Sequence, residues 1–127
     1  MSPTRHQPFS IDLPLPVRGV AIVAVAGEID MDTAPAFEDA LAASVRDRSE
    51  SGVVVDMCNV TFMDSSALSA LVRAMERHKR HLSTLAVATS DSRITTLFEV
   101  SRLDQALRLY RSRDAAVEAL DRRWRSR

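Results

Sequence analysis

The stretch VTFMDSSALSALVRAM, residues 60–75, decides the fold. It begins as the end of a strand-like run and finishes as a helix, with Asp64-Ser65-Ser66 at the change of period. Leu68, Leu71, Val72 and Met75 recur at helical spacing and predict one apolar helix face. The preceding run, VVVDM from Val53, follows Gly52 and reads as a buried strand. A strand passing directly into a helix is the repeating step of an α/β domain.

The same step recurs on both sides. Residues 9–13, FSIDL, alternate and predict a short edge strand before Pro14 and Pro16. VAIVAVAG, residues 20–27, is an apolar strand ended by Gly27. In the helix that follows, Thr33 is expected to cap, Pro35 suits the first turn, and Phe37, Leu41 and Val45 repeat every four residues. Beyond the central stretch, RHKRH (77–81) places cations at the negative end of a helix dipole. TLAVAT (84–89) predicts another central strand, and SDSRITTLFEV a capped helix with Ile94, Leu97 and Phe98 on one face. ALRLY (106–110) reads as an edge strand, and a last helix carries Val117, Leu120 and Trp124. The order predicts one α/β domain over residues 9–121, with a mixed, mostly parallel sheet of about four to five strands and about four helices. Residues 1–8 are read as a loose arm and 122–127 as a basic tail.

Several function classes are disfavoured. Basic and acidic residues number 17 each, so no strong field favours nucleic acid or an anionic membrane. No apolar run reaches the roughly 18 residues of a membrane span, and MSPTRHQPFS lacks the apolar core of a signal peptide, so none is expected. A single cysteine, Cys58, fits a reducing compartment. A soluble, cytoplasmic protein is therefore expected. The three glycines, at 19, 27 and 52, build no phosphate loop. His6, His78 and His81 lack metal-ligand spacing, and His78 and His81 are expected in solvent. Cys58 is expected to be an inert core thiol. MDSSA lacks the glycines of a hydrolase elbow. Neither enzyme activity, cofactor nor metal is expected. In DRRWRSR, Trp124 is expected to close the last helix's apolar face while the arginines stay hydrated.

The serine junction has two uses that do not conflict. Asp and Ser are preferred helix caps because their oxygens accept the unpaired backbone donors of the first turn. Three polar groups crowd a turn that needs one cap, which leaves a hydroxyl exposed. A helix start also tolerates a phosphate, since its backbone donors and dipole favour an anion. A partner docked there would be repelled by that charge next to Asp64. The physics favours a binding switch over a catalytic site.

VVVDMCNVTFMDSSALSALVRA resembles the central motif of STAS-domain anti-sigma factor antagonists, usually D-L-x-x-V-x-F-x-D-S-S-G-L. GEIDMDTAPAFEDAL resembles their earlier G-E-L-D-x-x-T-A-x-x-L-x-x-A-L signature, and AVATSDSRITTLFEVSRLDQALRLYRSRDAAVEAL their later elements. The resemblance implies a single STAS domain that binds an anti-sigma factor, itself a serine kinase, and frees a sigma factor. It implies Ser65 as the phosphoacceptor whose modification ends binding, and a serine phosphatase that restores it. Asp30, Asp64, Ser66, Ala67 and Ser69 are the implied partner-binding positions. It also implies a monomer or weak dimer, with no direct contact to nucleic acid. The alternative is a STAS scaffold or interaction module, stressosome-like or transporter-associated, in which the serines serve mainly as caps.

The chain departs from the family pattern in three places. Ala67 and Ser69 replace usual glycines, and Ala67 is expected to add a methyl group where the partner approaches. Arg102 replaces the glycine of the usual S-G-L, at a cost if its φ is positive.

Overall fold

A computed structural model describes residues 8–46, 52–81 and 83–125. The expected arm falls, apart from Pro8, outside the described residues, as do the side chains of Val45 and Trp124. Five strands form one sheet in the order β1-β2-β3-β4-β5. They are β1 (Ser10–Asp12), β2 (Ala21–Ile29), β3 (Val53–Met63), β4 (Leu85–Ala88) and β5 (Arg108–Tyr110). β1 pairs antiparallel with β2, and all later pairs are parallel. The helices are α1 (Ala34–Arg46), α2 (Ser65–Arg80), α3 (Ser92–Val100), α4 (Leu103–Ala106) and α5 (Arg113–Arg125).

Burial explains the layering. One apolar cluster joins Val53, Val55 and Val87 to Phe37, Leu41, Leu71, Ile94 and Phe98, so α1 to α4 cover one sheet face. A second joins Ile22, Val54 and Ala86 to Val117 and Leu120 of α5 on the other face. The first residues of β3, Val53–Val55, and all of β4 are covered on both sides, which is why they read as apolar runs. Gly52 opens β3 with φ +112°, and a Cβ there would lie 2.5 Å from the carbonyl oxygen of Thr84. That oxygen accepts the Val53 N–H at 2.8 Å, so only glycine lets β3 start this close to its neighbour.

Two expectations need correction and a third is refined. The short α4 occupies Leu103–Ala106, and so Ala106 is helical, with β5 starting at Arg108. The expected apolar face of α2 does pack on the core, with Leu71 buried and Leu68, Val72 and Met75 half-buried against it, but its most buried line also runs through Ala67, Ala70, Ala74 and His78. The methyl side chains let the helix lie close to its support, and the longer residues flank the contact. His78, expected in solvent, is 1% exposed. It falls four residues after Ala74 and seven after Leu71, on the same buried line.

β3 carries two irregularities against β2. Ala24 pairs with Asp56 but Ala26 pairs with Asn59, and Gly27 pairs with Val60 but Glu28 with Phe62. Each inserts one extra residue into β3, as a bulge does. Asp56 supports the first, because its Oδ1 accepts the Cys58 N–H at 3.0 Å. The two shifts bring Met63 opposite Ile29. Asp64 N–H then bonds Ile29 O at 3.2 Å and ties the two strand ends together.

Candidate functional site

Those tied ends position the site. Asp30 leaves β2 where Asp64 leaves β3, one residue beyond the Ile29–Met63 pair. Asp64 is the N-cap of α2, with extended φ −116° and ψ −168°, and its Oδ1 accepts the Ser66 N–H at 2.8 Å. Its carbonyl oxygen accepts the N–H groups of Ala67 at 3.1 Å and Leu68 at 3.3 Å. Asp64 therefore does the capping and spares the serines. Ser65 is the first helical residue, is exposed, and its hydroxyl makes no hydrogen bond to a described residue. Ser66 is half-buried and Ser69 exposed, one turn further along.

Asp30 is held by its own turn. Its Oδ1 accepts the N–H groups of Asp32 at 2.9 Å and Thr33 at 3.1 Å. Thr33 was expected to cap α1, but its hydroxyl turns back towards the strand. It accepts the Asp30 N–H at 2.9 Å and donates to the Glu28 carbonyl at 2.8 Å. Asp30 takes over the role of satisfying the turn's donors, as Asx residues do. Ala67, expected on the partner face, is fully buried in the core beneath α2. Its methyl group supports the helix from below and cannot meet a partner.

Two features went unread in the sequence. Arg73 of α2 donates twice to Glu38 of α1, at 2.7 Å through Nε and 2.7 Å through Nη2. Hydrogen bonding to Arg73 holds the Glu38 carboxyl below its ordinary value. The partners are 35 residues apart, and no local pattern announces such a pair. On the opposite sheet face, Arg113 Nε donates to Asp56 Oδ2 at 2.8 Å. Cys58, expected in the core, is partly exposed there, with Sγ 3.9 Å from the Arg111 carbonyl oxygen. Among the described residues no group of His, Cys, Asp and Glu could hold a metal ion. No described helix is long and apolar enough to cross a membrane.

The arrangement is a small α/β domain whose strand-to-helix turn exposes Ser65 directly after the capping Asp64, with Asp30 at the end of the neighbouring strand. The chain belongs to the STAS domain family, whose pattern matches residues 16–116. The anti-sigma-B factor antagonist of Listeria monocytogenes is 32% identical over 87 residues, spanning 67% of this chain and 74% of the relative. The anti-sigma-F factor antagonist RsfB of Mycobacterium tuberculosis is 37% identical over 59 residues, 46% of this chain and 48% of the relative. A crystal structure of an anti-sigma factor antagonist from Mycobacterium paratuberculosis superposes with a TM-score of 0.81 at 30% identity. That match covers 89% of this chain and 94% of the other.

Proposed function

We propose that this protein is an anti-sigma factor antagonist. In its unphosphorylated form it binds an anti-sigma factor that is also a serine kinase, and thereby releases a sigma factor in the cytoplasm. Phosphorylation of Ser65 ends the interaction, and a serine phosphatase restores it. The observation that carries this reading is the exposed Ser65 hydroxyl, without a hydrogen bond to any described residue, at the first position of α2 behind a cap that Asp64 already supplies. The relatives' role supports the choice of partner.

Charge sets the direction of the switch. A phosphate adds about −1.5 to −2 charges at neutral pH. At the start of a 16-residue helix it meets backbone donors and a favourable dipole, so the fold accepts it. A docked partner instead confronts a dianion beside Asp64 in a desolvated interface, and binding weakens.

The test uses the anti-sigma factor that co-purifies with this protein from its own host. With ATP it is expected to add one phosphate to the wild type and none to Ser65→Ala, read by intact mass and peptide mapping. Ser65→Asp is expected to bind it more weakly than wild type. Full labelling of Ser65→Ala would remove the assignment.

A further inference from the structure

The serine site does not account for the cleft between α1 and α2. This cleft opens beside Met31 and Ser66, runs between the helices to Arg77, and encloses about 470 Å³. Its walls are low because Ala34, Ala42 and Ser69 have short side chains. Midway, the Glu38–Arg73 pair clamps the two helices. Beyond that clamp Arg77 is left incompletely satisfied. Its Nη2 lies 3.9 Å from Glu38, whose oxygens already serve Arg73. Its Nη1 is buried and has no partner among the described residues. A shielded guanidinium donor without an acceptor is unfavourable, and an arriving acceptor relieves it. The side chain keeps 26% exposure and lines the cleft, within reach of an acceptor that enters it.

We infer that this cleft is a second contact strip for the anti-sigma factor, in which Arg77 receives a carboxylate-bearing segment of that partner. The inference rests on the reading of Ser65 as part of the anti-sigma surface. Three observations select this occupant. Ser66 borders both the serine site and the cleft, so one partner covers both without a gap. Met31, 75% exposed at the mouth, offers an apolar contact. The fork of Arg77 fits a carboxylate in two-point contact. Asp39 on the rim keeps the cleft from attracting acids generally and confines the acidic group to the Arg77 end.

The test is a calorimetric titration of the co-purified anti-sigma factor into wild type, Arg77→Glu, Arg77→Lys, Ala42→Gln and Ser65→Asp. Arg77→Glu and Ala42→Gln are each expected to weaken binding about tenfold or more, and Arg77→Lys less than Arg77→Glu. Ala42 is half-buried on a helix, so glutamine there fills the cleft while leaving the core intact, which thermal melting verifies. Wild-type affinity in both cleft variants, with loss in Ser65→Asp, overturns the cleft and leaves the serine reading standing. Wild-type affinity in all variants overturns both. If the cleft variants instead alter self-association of the protein alone, read by light scattering, the occupant is a second copy and the inference fails.

Discussion

Asp64 accepts the backbone N–H of Ser66 at 2.8 Å, spanning Ser65 and leaving its hydroxyl free. One carboxylate oxygen thus starts α2 and sets aside the residue proposed to be modified. Asp64→Ala removes the cap and is expected to cost about 1 kcal/mol of stability. Thermal denaturation should show a midpoint about 4 °C lower. Asp64→Asn keeps the acceptor and is expected to melt near wild type. Equal melting of the alanine and wild-type proteins would show that Asp64 does not cap.

Arg102 sits between α3 and α4 with φ 63° and ψ 17°, in the left-handed region, and no side-chain hydrogen bond supports it there. A residue with a Cβ is strained in that region by about 1–2 kcal/mol, while glycine is not. Glycine gives back part of the gain through the greater freedom of its unfolded chain. Arg102→Gly is therefore expected to raise stability by about 0.5–1 kcal/mol, measured by urea denaturation. A destabilised Arg102→Gly would mean that the arginine side chain makes up for its backbone.

The central sheet was legible because the start of β3 and all of β4 are buried on both faces, and their sequences show it directly. The end of β3 was not, because its two bulges break the alternation that a strand reading needs. α4 is one turn long and offers too few residues for any period to emerge. On α2, counting only large apolar residues found Leu71 and its half-buried flanks Leu68, Val72 and Met75 but missed the alanines and His78 that share the contact. The position of His78 was recoverable from its spacing, but not its burial, because histidine reads as polar. At the site, the acid-and-serine turn was plain. The fastening of Asp30 by Thr33 was not, since it depends on a hydroxyl turning back to Glu28. The Glu38–Arg73 clamp depends on how two helices approach, which lies beyond local sequence.

His78 makes stability depend on pH. Burial, and then the charges of Arg77 and His81, lower its pKa from 6.5 to about 4. Above the unfolded value of 6.5 neither state binds the proton, so His78 contributes no pH dependence there. As pH falls from 6.5 towards 4, only the unfolded chain gains a proton, and the folded state loses ground. The loss is expected to approach about 2 kcal/mol near pH 5 and about 3 kcal/mol in all. His78→Met should lack this component, and urea denaturation at about pH 7.5 and about pH 5 isolates it as the difference between the two proteins. Parallel pH dependence in wild type and variant would show that the imidazole does not stay neutral when folded.

On the opposite sheet face, Asp56 holds together the first bulge of β3. Burial works to raise the Asp56 pKa, but the Cys58 N–H and the Arg113 guanidinium outweigh it and hold the carboxyl below its ordinary value. The charge this keeps on Asp56 acts on its neighbour. Burial first, and then Asp56, push the Cys58 thiol up to about 11 from 9.0. The nucleophile is the thiolate, so partial exposure does not make this cysteine reactive. Near neutral pH native Cys58 is expected to react with iodoacetamide about a hundredfold more slowly than the same chain unfolded in guanidinium. Asp56→Asn keeps an acceptor for the Cys58 N–H while removing the charge, and is expected to speed alkylation of the folded protein. If the folded wild type is alkylated as fast as the unfolded chain, the thiol is not held protonated by its surroundings. If Asp56→Asn leaves the slow native rate unchanged, burial alone accounts for it.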